Sequence, residues 1–260
     1  MEDDPEVKEA MMIDDAADEK RTNIRGGSSG ASSKIGDEEA IVQCGTSAGP
    51  ITMHFYRSWS PHGYNRATAL FERGYYDHSH FFRVVDHFLV QFGIGYTTDQ
   101  ELKSFSQSTI PDDPRRSNLL PFKEGMMSFA GSGPNSRSNQ MFIAYDQADS
   151  LGQSPWEIPF GRVTSGMENV KNFYKEYGDE PPWGKGPKQA SIENRGASYI
   201  ESGFPLLDKF ETCSVQRINQ SSADVGSIKA VNVSIVVSIL LGIGYLKKKM
   251  SIQPNNSKKT

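Results

Sequence analysis

The chain has 260 residues, 36% of them hydrophobic and 10% aromatic, which is enough apolar surface for one large domain or two small ones. A net charge of −4, with a sequence pI near 5.8, lacks the basic footprint of nucleic-acid binding. Two cysteines exclude a disulfide framework and, lacking close spacing, a zinc site.

The first twenty residues carry nine acidic and two basic side chains, and GGSSGASS occupies 26–33. Such a stretch buries too little apolar surface to offset the entropy of ordering, so 1–39 is expected to be a disordered acidic tail and linker. With no apolar stretch after Met1, no cleavable signal peptide is expected. From residue 40, IVQCGTS, AGP and ITMHFY predict two strands joined by a tight turn. YNRATALFERGYY places Ala67, Leu70, Phe71 and Tyr75 near helical spacing and meets a stop at Gly74. FFRVVDHFLVQFGIG (81–95) is strand material in which Arg83 and Gln91 stand where apolar groups are expected.

Residues 97–122, rich in Pro, Asp, Ser and Arg, predict a long loop. Further strands are predicted at 125–131, 139–145, 158–163 and 210–216, and a second helix at 165–178. Many short strands with two separated helices suggest a mostly-β domain closed into a barrel, with helices at its ends. After a linker at 218–229, residues 230–246 (AVNVSIVVSILLGIGYL) are apolar without amphipathic alternation, and Lys247, Lys248 and Lys249 follow. As a helix this segment spans roughly 25 Å against a hydrocarbon core of roughly 30 Å, a short single-pass span with a basic tail at 247–260. A buried terminal strand or helix is the competing reading.

His78, His80 and His87 have no carboxylate or cysteine at matching spacing, so no metal is expected. Hydrolase chemistry lacks a G-x-S-x-G elbow, and GSGPNS (131–136) lacks the lysine of a phosphate loop and reads as a turn.

FFRVVDHFLVQFG and GMMSFAGSGPNSRSNQMFI resemble the two signature motifs of the cyclophilins, in the family's order, within a similarity covering about 40–217. That resemblance implies an eight-stranded antiparallel barrel capped by two helices and a peptidyl-prolyl cis-trans isomerase acting on proline-containing polypeptides without a cofactor. Its implied catalytic residues are Arg83 and Gln91. Phe88, Leu89 and Phe142 would line the proline pocket, while Gln140 and the Ala130–Gly131 backbone would hold the peptide. The chemistry is consistent with those residue types. Rotating an X–Pro bond meets a barrier of about 18–20 kcal/mol from amide resonance. In the twisted state the proline nitrogen gains a lone pair, to which a fixed guanidinium can donate. A structural arginine paired with a carboxylate such as Asp86 is the alternative.

The chain departs from the family pattern at Leu89, where methionine is common, and at Gly131, where asparagine is usual. In SLGQSPWEIPFG, Leu151 matches a pocket residue and Ser150 falls where a tryptophan is usual. Trp156 or Glu157 falls near the usual histidine, and Trp156 is a candidate to refill the pocket. A weakly catalytic proline-peptide binding module and a membrane scaffold are the competing functions. In the family's barrel the first and last strands are neighbours, so the resemblance also makes Cys44–Cys213 a candidate disulfide, pointing to an endomembrane lumen. A tail anchor with a cytosolic domain is the alternative. Oligomeric state is not legible.

Overall fold

The structure, a computed structural model, describes residues 38–146 and 149–219. The rest of the expected tail, most of the linker and the apolar segment 230–246 lie outside the described residues. Among the described residues no helix is long and apolar enough to cross a membrane.

Eight antiparallel strands form one sheet: β1 (Glu38–Thr46), β2 (Ile51–Tyr56), β3 (Arg83–Val85), β4 (Leu89–Phe92), β5 (Met126–Phe129), β6 (Met141–Ala144), β7 (Gly161–Ser165) and β8 (Phe210–Asn219). Their order is β3-β4-β6-β5-β7-β2-β1-β8. The expectation of a closed barrel is corrected: the ladder has two ends, and β3 and β8 share no register. An isolated bridge between His80 and Lys209 lies at the seam, flanked by Phe81 N–H to Asp208 O at 2.9 Å and Phe210 N–H to Ser79 O at 2.9 Å. With only three residues, β3 is too short to extend a ladder along β8. The sheet is therefore a half-barrel. The opening hairpin forms as expected, β1 pairing with β2, although β1 reaches back to Glu38 inside the expected tail.

The helix content also differs from the two expected caps. Among the described residues there are five α-helices: α1 (Pro61–Glu72), α2 (Gln100–Gln107), α3 (Met167–Lys171), α4 (Gln189–Arg195) and α5 (Ala197–Gly203). Helix α1 begins on a proline, whose missing N–H and fixed φ suit the first turn. Its buried Tyr64, Ala67, Leu70 and Phe71 recur at helical spacing and cover the core. Helix α2 interrupts the expected loop; Asp99 caps it by accepting from Glu101 N–H and Leu102 N–H at 2.9 and 3.1 Å. The expected second helix shrinks to α3.

The core is layered by the pleat. On β4, Val90 and Phe92 point inward with Met127 and Phe129 of β5 and Met141 and Ile143 of β6. The alternate positions Leu89, Met126, Phe142 and Ala144 face the other side, where Phe122 and Leu151 bury them into a second cluster. These strands are apolar on both faces because both faces are covered, which removes the alternation of a half-exposed sheet. Cys44 and Cys213 stand opposite each other in the β1–β8 ladder and are joined by a disulfide, with Cα atoms 4.1 Å apart.

Candidate active site

The expected strand material at 81–95 forms a hairpin of β3 and β4. The chain reverses at Asp86–His87, where His87 takes a left-handed φ of 57° and Phe88 N–H donates to Val85 O at 3.1 Å. Reversal puts Arg83 opposite Gln91 in register. Spacing in sequence thus becomes contact in space: Arg83 Nη1 donates to Gln91 Oε1 at 3.1 Å, and Gln91 Nε2 donates to Gln140 Oε1 at 2.9 Å. The Arg83 guanidinium carbon lies 5.8 Å from the Phe88 ring centre, within cation–π range.

These side chains border a cavity of about 510 Å³. Nine of the ten residues expected from sequence line it: Arg83, Phe88, Leu89, Gln91, Ala130, Gly131, Gln140, Phe142 and Leu151. Its apolar floor is the second cluster. Phe122, fully buried and 5.5 Å from Phe142 between ring centres, supports that floor from below. The sequence signal for Phe122 was slight, an aromatic at the end of an expected loop.

Trp156 is the exception, because it does not line the cavity. A Cβ placed on Gly131 would come within 2.7 Å of Trp156 Cδ1, so the indole lies against the glycine from outside the lining. The two departures in sequence are therefore one packing change: the missing side chain at 131 makes room for the indole. Glu157 reaches the cavity instead, its Oε2 accepting from Gly152 N–H at 2.8 Å.

The opposite rim is the 131–138 turn. Ser136 Oγ accepts from Ser132 N–H and Gly133 N–H at 2.8 and 3.0 Å. Asp112 and Asn135 exchange backbone-to-side-chain hydrogen bonds at 2.9 and 2.8 Å. Behind them the buried Arg137 donates to Asp113 at 3.0 Å, and Asp113 also accepts from His62 N–H and Gly63 N–H at the start of α1. A buried ion pair thus ties the rim to the helix. Ala130 N–H is committed to Gln140 O at 2.9 Å.

Asp86 is not the partner of Arg83, since it pairs with Lys175 at 2.6 Å. Instead, Arg83 Nη2 donates to Asp179 Oδ2 at 2.7 Å. Asp179, on Arg83, and Gln189 and the serines at 132, 136 and 138, on the cavity wall, were not singled out as site residues from sequence. Among the described residues no group of three His, Cys, Asp or Glu side chains is placed to hold a metal ion. His80 Nδ1 and Tyr96 Oη share a hydrogen bond at 2.7 Å, and burial and Lys209 lower the His80 pKa to about 4.

The model of the cyclophilin-type peptidyl-prolyl cis-trans isomerase/CLD family matches residues 41–194. The chain is 34% identical over 132 residues to peptidyl-prolyl cis-trans isomerase-like 1 of Emericella nidulans, covering 49% of this chain and 77% of that one. It is 31% identical over 149 residues to peptidyl-prolyl cis-trans isomerase cypE of Dictyostelium discoideum, covering 55% and 91%. A cyclophilin-type isomerase structure from Cryptosporidium parvum aligns with a TM-score of 0.47 and 19% identity, covering 68% of this chain and 98% of that one. The chain belongs to the cyclophilin-type peptidyl-prolyl cis-trans isomerase family, a family of enzymes.

Proposed function

We propose that this chain assists protein folding by rotating X–Pro bonds through an arginine-stabilised twisted amide. The observation that carries this reading is a guanidinium fixed at the edge of an apolar cavity: Arg83 beside Phe88, Leu89 and Phe142. The proline ring sits on Leu89, Phe142 and Leu151. Rotation carries the proline nitrogen from planar to pyramidal, and its new lone pair accepts from the Arg83 guanidinium. In the planar ground state that lone pair is delocalised, so the interaction favours the transition state selectively. Low dielectric over the apolar floor strengthens it. Gln91 holds the guanidinium and links it to Gln140, whose amide hydrogens are left for a peptide carbonyl. Ala130 C=O and Gly131 N–H hold the peptide extended. No proton is transferred and no covalent bond is broken.

Exchange NMR on a short X–Pro peptide tests the reading with wild type and Arg83→Ala. Wild-type catalysis that falls about a hundredfold or more in the variant is expected. Peptide binding with no rate above the uncatalysed exchange in either protein would favour a proline-peptide binding module. Intact turnover in Arg83→Ala would remove the arginine from the mechanism.

The same reading places the domain in an oxidising endomembrane lumen, anchored by 230–246 with Lys247–Lys249 on the cytosolic side. The Cys44–Cys213 disulfide supports it. Non-reducing mass measurement of the protein from native membranes tests it, free thiols favouring a tail anchor with the domain in the cytosol.

A further inference from the structure

The geometry points to Asp179 as a positioning residue for the catalytic arginine, presented by a loop (177–188) built to hold that one carboxylate against Arg83. This rests on the isomerase reading above. Gln91 anchors the guanidinium at Nη1 through a neutral amide, which leaves the plane free to pivot about that bond. Asp179 takes Nη2 through a charge-assisted bond at 2.7 Å, and two anchors on opposite arms of the fork fix the plane. Neither uses Nε–H, which is buried and makes no hydrogen bond. Each Nη also carries a second hydrogen, so Arg83 keeps donors for a peptide while its orientation is set twice.

The placement of Asp179 is too elaborate for a chance surface pair. Its Oδ1 accepts from Glu180 N–H at 2.7 Å, which turns Oδ2 toward the arginine. Gly186 N–H donates to Asp179 O at 2.7 Å, and Lys185 N–H donates to Tyr177 O at 2.8 Å, so the chain coils around residue 179. A Cβ on Gly184 would lie 2.5 Å from Asp179 N, and one on Gly186 would lie 2.9 Å from Asp179 O. Only glycine permits so close an approach. Glu180 Oε2 accepts from Gln189 N–H at 3.3 Å, and Gln189 lines the cavity.

The coil is also moored to the hairpin that carries Arg83. Ile192, Ile200 and Leu207 pack with Phe82, which precedes β3, and Ile94, two residues beyond β4, and Tyr177 joins them. Lys175 grips Asp86 at the hairpin turn. Asp179 and Arg83 are 21% and 25% exposed, so water weakens the ion pair without dissolving it.

Exchange kinetics on an X–Pro peptide with the full chain test the role. Asp179→Ala is expected to lower kcat about tenfold while KM changes by less than about twofold, since the carboxylate touches the arginine and not the substrate. Asp179→Asn keeps the acceptor oxygen and the volume, and is expected to lose only about threefold. In an Arg83→Ala background, Asp179→Ala is expected to change nothing further. The Arg83 Nε–Hε NMR resonance reports orientation independently of turnover, and it is expected to be sharp in wild type and broadened or shifted in Asp179→Ala. Unchanged or raised kcat in both Asp179 variants, or an equal loss in the Arg83→Ala background, overturns the positioning role while wild-type turnover stands. A wild type that does not turn over at all overturns the isomerase reading itself.

Discussion

Replacing Gly131 by alanine tests whether the altered rim is a single packing unit. The new Cβ would stand 2.7 Å from Trp156 Cδ1 and 3.0 Å from Ser136 Oγ, where carbon contacts settle near 3.5–4.0 Å. The indole, half-buried, must move by about an ångström. Overpacking of this kind costs typically 1–3 kcal/mol, and a side chain with one face in water puts it near the lower end, about 1–2 kcal/mol. Backbone strain does not contribute, because Gly131 is outside the left-handed region. With Trp156→Ala already made, Gly131→Ala keeps only the 3.0 Å approach to Ser136 Oγ, which a small shift relieves, and is expected to be neutral or to stabilise by up to about 0.4–1 kcal/mol through the unfolded chain. Urea denaturation of wild type, both single variants and the double variant closes the cycle, and a coupling of about 2 kcal/mol is expected. Tryptophan emission should move to the red in Gly131→Ala as the indole swings outward. An additive cycle with unchanged emission would refute the pairing of Gly131 with Trp156.

Gln91→Leu keeps the bulk but cuts the link from Arg83 to Gln140, and kcat is expected to fall about tenfold in the exchange assay with the fold intact. His80 stays neutral in the folded chain down to about pH 4, whereas the unfolded chain takes up its proton below about 6.5. Stability present at neutral pH is therefore lost as pH falls from about 6.5 to about 4, by up to about 3 kcal/mol, and His80→Asn should flatten that part of a pH series of denaturation midpoints. Cys213→Ser opens a loop whose ends are 169 residues apart in sequence and is expected to cost about 2–5 kcal/mol, read as a lowered denaturation midpoint under non-reducing conditions.

The central strands were legible because their apolar runs are unusually complete, and the structure explains the runs: Val90 and Ile143 fill the barrel side while Leu89 and Phe142 floor the cavity. Arg83 and Gln91 were legible as the two polar exceptions within them. Their contact was not, because a reversal at Asp86–His87 needs a left-handed residue that the sequence does not advertise with glycine or asparagine. Helix α2 escaped because eight residues bury only Leu102 and Ser106, too few to show a period among Pro- and Ser-rich neighbours. Asp179 was invisible for a different reason. Its position depends on tight backbone approaches at Gly184 and Gly186 and on a small apolar cluster gathered from Phe82 to Leu207, neither of which leaves a periodic trace. The departures at Gly131 and Trp156 could both be read, but that one makes space for the other shows only in their packing.

The fork of Arg83, and not its charge alone, carries the proposed mechanism, so Arg83→Lys is the decisive variant beside Arg83→Ala. Lysine keeps the positive charge but cannot bond Gln91 and Asp179 at once while donating to the proline nitrogen. Exchange NMR at saturating X–Pro peptide should show kcat reduced about a hundredfold or more in both variants, with peptide affinity nearly unchanged. Wild-type kcat in Arg83→Lys would contradict the fork, and wild-type kcat in Arg83→Ala would contradict the arginine mechanism.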